Sequence, residues 1–171
     1  KWRSSIVIPV YNCAKLLDHT LARLTQHPEI AADPTLFEII VVNDGSEEDI
    51  RSVVESQTYP CALSYISLGR NNGSSHARNV GIGNARGDIL FFLDSDVILN
   101  NSYFQHHWAI HSAAYKASKN AVVVGFAENI DHNDAHIAHL VDGADIQPDI
   151  ALDFRFYDDG TDWFPARPES R

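Results

Sequence analysis

The chain has 171 residues, 44% of them apolar, which suits one domain with a proper core and excludes the disordered and membrane classes. Its net charge of −10, with 23 Asp and Glu against 13 Lys and Arg, argues against a nucleic-acid surface, because phosphate contacts need clustered cations. No apolar run approaches the length of a membrane span and no charged-then-apolar leader is visible. Cys13 and Cys61 lack CxxC spacing, so reduced, structural thiols and a cytoplasmic or cytoplasm-facing location are expected. Phosphate binding, on so acidic a chain, is expected to run through a metal ion. The sequence starts at Lys1 without any Met and stops at Arg171 in a polar stretch rich in Pro and Asp, the expectation being a fragment.

Ser4-Ser5-Ile6-Val7-Ile8-Pro9-Val10 is apolar on both parities, the pattern of a strand covered on both faces, with Pro9 expected to end its pairing. Leu17, Leu21 and Leu24 recur at helical spacing and predict a helix over about 14–26. Phe37 to Val42 reads as a second buried strand running into Asn43-Asp44-Gly45-Ser46. The Asp-Gly pair would suit a hairpin, but Ser46-Glu47-Glu48-Asp49 has the form of a capping box continued by Ile50, Val53 and Val54, so strand, turn and helix are the better reading.

A third strand from Leu63 to Leu68 leads through the polar loop Gly69 to Ser75 into a helix over about 76–85, and Gly87-Asp88 turns the chain into Ile89-Leu90-Phe91-Phe92-Leu93. A helix over 102–118, carrying Phe104, Trp108, His111 and Tyr115, precedes a fifth strand predicted over 121–126. Beyond Asn129 the periodicity dissolves. Residues 1–129 are expected to form a core, and 130–171 an irregular segment or a lobe packed on it. Alternating strands and helices with short connections predict an α/β fold with a mostly parallel, Rossmann-like sheet and helices on both faces.

The most informative residues are Leu93-Asp94-Ser95-Asp96, where an apolar strand runs straight into two carboxylates spaced i, i+2. All-oxygen ligation suits Mg²⁺ or Mn²⁺, which complete their shells with water and substrate phosphate. Ligands of open α/β sheets bind beyond the carboxyl ends of the strands, where these carboxylates lie; the bland alternative is a turn or helix cap. Asp44 occupies the equivalent place after its strand, able to accept the imide N–H of a uracil or thymine ring or to form an Asx turn. After the first strand, Tyr11 could stack a base and Asn12 bond its edge, or Tyr11 packs and Asn12 caps the next helix. Arg78 and Asn79, expected on the first turn of the helix after the Gly-containing loop, suit a phosphate, against the alternative of a solvated Arg.

Other patterns point less far. Gly81-Ile82-Gly83-Asn84-Ala85-Arg86-Gly87 narrowly misses a dinucleotide fingerprint and ends a helix instead of opening one. His107 and His111 share a helical face, and His132, His136 and His139 form a second cluster, but neither has the Glu or Cys companions of a zinc site.

Taken in order, Ile8-Pro9-Val10-Tyr11-Asn12, Val42-Asn43-Asp44-Gly45-Ser46, Ala77-Arg78-Asn79-Val80-Gly81 with Ala85-Arg86-Gly87-Asp88, and Leu93-Asp94-Ser95-Asp96 resemble the signature of family-two glycosyltransferases over about residues 4–126. That resemblance implies the GT-A fold, a nucleotide-sugar donor with a UDP-sugar foremost, Mn²⁺ or Mg²⁺, and transfer with inversion. It places Pro9 and Tyr11 beside the nucleobase, Asp44 on its imide, Arg78 and Asn79 near the nucleotide, Asp94 at the ribose or the metal's water shell, and Asp96 on the metal. Ser95 is grouped with the donor contacts. Asn43 stands where the family often has Asp.

The family's general base sits in a later acidic motif, often Glu-Asp, and none follows Asp96. Asp142, Asp145, Asp149, Asp153, Asp158, Asp159 and Asp162 are candidates by abundance alone, and the base is expected beyond Arg171. The acceptor is left open. Two alternatives remain at this level: a noncatalytic nucleotide-sugar-binding domain, and a nucleotidyltransferase, which would need a Gly- and Lys-rich loop after the first strand that this chain lacks.

Overall fold

The computed structural model describes residues 2–123. They fall into two compact units, residues 2–101 and 102–123. Four parallel strands, β1 (Ser4–Val10), β2 (Phe37–Asn43), β3 (Ala62–Ser67) and β4 (Ile89–Phe92), form one sheet in the order β3-β2-β1-β4. The connections carry α1 (Ala14–Thr25), α2 (Pro28–Ala32), a 3-10 turn (Pro34–Leu36), α3 (Ile50–Glu55) and α4 (Ser74–Asn84). Asn43-Asp44-Gly45 is therefore not a hairpin, since β2 pairs parallel with both neighbours and a helix follows.

Every residue of β1 is buried, on both parities, as a central strand requires. The chain steps outward from β1 to β2 to β3 and then returns past both to β4. Right-handed crossovers put helices of opposite step direction on opposite faces, which separates α4 from α1 and α3. In agreement, α4 lies against β1 and β2 while α1 packs on α3. Val7, Ile40, Val42 and Ala77 form the core beneath α4, and Leu17, Leu21 and Leu24 bury the apolar face of α1. At Gly81 a Cβ would sit 2.2 Å from Val7 Cγ1, so only hydrogen there lets α4 settle on β1.

Pro9 ends pairing on one side only. Toward β2 the ladder runs to Val10 paired with Asn43, and Asp44 N donates to Val10 O at 2.9 Å. Toward β4 it stops at Val7 paired with Phe92, with Leu93 N donating to Val7 O at 3.1 Å. Pro9, two residues beyond Val7, turns a nitrogen without hydrogen toward β4. The two strands part there, at the point where the connections change direction, which in open α/β sheets is the ligand crevice.

Three further expectations are corrected. The helix α3 starts at Ile50 and is capped by Asp49, whose Oδ1 accepts from Ser52 N at 3.0 Å, instead of starting at a Ser46 cap. The helix α4 starts at Ser74, two residues earlier than read, because Gly73 at φ +92° turns the chain into it. No strand forms over residues 121–123; the rest of the predicted fifth strand, the boundary at 129 and the 130–171 segment lie outside the described residues.

The second unit contributes α5 (Tyr103–Lys116), along which the Tyr103 and His107 rings meet, tilted, at 4.4 Å between centroids and Phe104 meets Trp108 at 6.2 Å. Burial pushes the His107 pKa down to about 4. Among the described residues no three His, Cys, Asp or Glu side chains gather as a metal cluster, so His107 and His111 have no third ligand there; His132, His136 and His139 lie outside the described residues. No helix among them is long and apolar enough to cross a membrane.

Candidate functional site

Four loops meet at the carboxyl rim of the sheet, one after each strand, and side chains lock them together. Asn12, at φ +48°, donates its N–H to Ser46 Oγ at 3.0 Å and accepts from Glu47 N at Oδ1, 2.8 Å. Ala14 N donates to Glu48 Oε2 at 2.6 Å. Asn12 therefore caps no helix; Cys13 is the N-cap of α1, without a side-chain cap bond. These contacts also explain why Ser46 opens no helix, since its hydroxyl is taken by the β1 loop. Tyr11 is 47% exposed, its ring open for stacking, while Pro9 is buried within β1.

Asp44 is only 3% exposed, and its oxygens hold the next loop: Oδ1 accepts from Asn72 N and Oδ2 from Gly73 N, both at 2.8 Å. Gly45, at φ +75°, lies so close beneath that loop that a Cβ would meet Arg70 C at 2.2 Å. Asp44 makes no Asx turn, its oxygens being turned to Asn72 and Gly73; Asn43 Oδ1 accepts instead from Ser46 N, three residues on, at 2.9 Å while its Nδ2 donates to Tyr65 Oη at 2.9 Å. A carboxylate has about four acceptor positions, so each Asp44 oxygen keeps one.

At β4 the chain leaves the sheet with Asp94 and Asp96 exposed and Ser95 buried between them, the alternation of a strand carried past its last pair. Arg78 Nη2 donates to Asp94 Oδ1 at 2.7 Å and Nη1 to Ser74 Oγ at 3.2 Å. Such a half-exposed pair adds little stability; its consequence is geometric, tying α4 to the acidic motif. Because α4 begins at Ser74, Arg78 stands on its second turn, outside the reach of the helix N-terminus. Asn79 is exposed on α4, and among the described residues it makes no bond to the rest of the site.

Asp96 accepts no hydrogen bond among the described residues, and Asp94 keeps Oδ2 free of Arg78. With two carboxylates and no third acidic, His or Cys partner among the described residues, an ion here would draw its remaining ligands from water and ligand oxygens. That donor set fits Mg²⁺ or Mn²⁺ and not a closed zinc or calcium cage. Cys13 was not foreseen at the site. Burial raises its thiol pKa, the neighbouring Ser95 opposes the rise, and the Asp96 and Glu48 charges add to it. No local pattern announces it, since its neighbours come from β2 and β4 loops.

The sequence profile of glycosyl transferase family 2 matches residues 5–168. The validoxylamine A glucosyltransferase of Streptomyces hygroscopicus subsp. jinggangensis is 36% identical over 135 residues, covering 77% of this chain and 30% of that protein. An uncharacterized glycosyltransferase of Bacillus subtilis is 35% identical over 123 residues, 72% of this chain and 29% of its own length. This chain thus spans about a third or less of these relatives. Among solved structures, Staphylococcus aureus TarS in complex with UDP-GlcNAc superposes with a TM-score of 0.63 at 22% identity, over 76% of this chain and 37% of that one. A Pyrobaculum calidifontis mannosyltransferase in complex with GDP-Man and Mn²⁺ gives 0.55 at 23% identity, over 61% and 30%. The chain belongs to glycosyl transferase family 2 and has the GT-A fold.

Proposed function

We propose that this chain supplies the donor site of an inverting glycosyltransferase, binding a nucleotide-diphosphate sugar, a UDP-sugar foremost, together with Mn²⁺ or Mg²⁺. The observation that carries the reading is the pair of exposed carboxylates, Asp94 and Asp96, at the end of β4 beside the opening between β1 and β4. Relatives support it: one is named a glucosyltransferase, and structures of the same fold hold UDP-GlcNAc or GDP-Man with Mn²⁺. Free thiols at Cys13 and Cys61 fit a cytoplasmic setting.

In this reading the exposed Tyr11 ring stacks the nucleobase over Pro9, and Asp44 accepts the imide N–H with a lone pair that the loop leaves open. Arg78 orients Asp94 and faces phosphate, with Asn79 and Ser95 nearby. Asp96 and Asp94 hold the cation, which when bound neutralises the charge growing on the departing diphosphate. Inversion needs a carboxylate on the far side of the sugar to deprotonate the acceptor. The seven Asp candidates for that base, Asp142 to Asp162, lie outside the described residues.

The test is calorimetric titration of the chain with UDP, GDP and dTDP, with and without Mn²⁺, on wild type and Asp96→Asn. Binding of one nucleotide that requires Mn²⁺ and weakens by at least about tenfold in the variant is expected. A folded chain that binds none of them, or binding that keeps its Mn²⁺ dependence in Asp96→Asn, overturns the proposal.

A further inference from the structure

Residues 93–100, which carry the acidic motif away from β4, form neither helix nor strand, so their backbone carbonyls must find partners elsewhere. The helix α1 and its junction with α2 supply them. Thr20, Arg23 and His27 are spaced by three and four and are each 3% exposed or less. Thr20 Oγ1 donates to Ser95 O at 3.0 Å. Arg23 donates from Nε to Leu99 O at 2.8 Å and from Nη2 to Asn101 Oδ1. His27 Nε2 lies 2.8 Å from Asn100 O and must be the donor, since a carbonyl only accepts.

Of this polar row, Thr20 and Arg23 are set into a helix whose Leu17, Leu21 and Leu24 are fully buried, and His27 follows two residues past its end. Burying a hydroxyl, a guanidinium and an imidazole costs free energy that apolar side chains at the same places would not. What the row provides is a grip on three carbonyls of one irregular segment. The Thr20 bond is the most telling of them. Ser95 C=O belongs to the planar peptide unit whose other half is the nitrogen and Cα of Asp96. Holding that oxygen therefore sets the plane from which the Asp96 side chain departs.

We propose that Thr20, Arg23 and His27 are positioning residues of the donor site, holding the backbone over 95–101 so that Asp96 is set for a divalent cation before the nucleotide arrives. The inference rests on the metal role of Asp94 and Asp96 given above. It assigns that role a support more than 60 residues away in sequence, on α1 and its junction with α2.

Mn²⁺ is titrated into the chain at fixed concentration of whichever of UDP, GDP and dTDP the wild type binds, with free Mn²⁺ read by electron paramagnetic resonance. Thr20→Val keeps the side-chain shape and removes the donor; Thr20→Ser restores the hydroxyl. Thr25→Val is the control, deleting a bond of the same kind within α1, from Thr25 Oγ1 to Ala22 O at 2.7 Å. Thr20→Val is expected to raise the Mn²⁺ concentration for half-saturation by about tenfold, with the wild-type stoichiometry regained at high Mn²⁺. Thr20→Ser is expected within about twofold of wild type, and Thr25→Val unchanged, though both valine variants melt somewhat lower. Arg23→Lys, which keeps the charge but not the planar fork, should shift the requirement in the same direction. Thr20→Val and Arg23→Lys with a wild-type Mn²⁺ requirement would overturn this inference while Asp96→Asn still reports on the donor site. Loss of Mn²⁺ dependence from the wild type itself would overturn both.

Discussion

Replacing Asp44 by asparagine keeps the side chain's shape but turns one acceptor oxygen into an NH₂ group facing a backbone N–H. In the native loop Asn72 N and Gly73 N each donate to this carboxylate at 2.8 Å, in a site only 3% exposed. The two amides are not equally dependent on it, because Gly73 N also reaches Asn71 Oδ1 at 3.0 Å. The asparagine should therefore turn its oxygen toward Asn72 and its NH₂ toward Gly73. One charge-assisted bond is lost and the other becomes neutral, so the cost is about 2 kcal/mol, the lower part of the range for a buried group of this kind. Asp44→Ala, which leaves Asn72 N without its acceptor, should cost about 4 kcal/mol. Urea unfolding measures the totals, and amide exchange locates them: protection at Asn72 and Gly73 should fall by roughly 30-fold in Asp44→Asn, the factor that 2 kcal/mol represents. Unchanged exchange at those two amides would refute the view that Asp44 orders the loop before α4.

Gly81→Ala places a methyl 2.2 Å from Val7 Cγ1, and Val7 is fully buried and stiff at χ1. Overpacking of about 1–3 kcal/mol outweighs the helix propensity gained, so urea unfolding should show a net loss of about 1–2 kcal/mol. Val7→Ala in the same chain should make room for the methyl, and additive losses in the double variant would exclude that contact as the cause. Burial holds the His27 pKa near about 4 against 6.5 for a free histidine, while Asn100 O opposes the fall and Arg23 adds to it. The unfolded chain then takes up a proton near pH 6.5 that the folded chain refuses until about pH 4. Stability should fall as pH drops through that window, by up to ~3 kcal/mol, and be flat above it. His107 contributes with the same sign, so the difference between wild type and His27→Gln isolates His27. A difference that instead shrinks as pH rises above 6.5 would mean that Glu29 Oε2, 2.8 Å from Nδ1, keeps the imidazole protonated.

Much of this protein was legible locally. Apolar residues on both parities marked β1 and β2 as inner strands, the leucines of α1 marked a helix, and two carboxylates soon after Phe92 and Leu93 marked a rim that strand topology turns into a crevice. These signals survive in sequence because hydrophobic period and turn chemistry act between near neighbours. Tertiary structure decided the rest, wherever distant groups compete for one side chain. Ser46-Glu47-Glu48-Asp49 had the form of a capping box, but Asn12 N and Ala14 N claim Ser46 and Glu48, and the helix waits for Asp49. Pro9 interrupts one ladder and not the other because the parity of a parallel strand turns its nitrogen toward β4. Thr20 and Arg23 look like interruptions of an apolar helix, and His27 like part of the turn after it, until the chain returns more than 70 residues later with carbonyls outside any helix or strand. Local chemistry determined which elements form; the hydrogen-bond needs of irregular backbone, met only after the sheet assembles, decided what their polar side chains do.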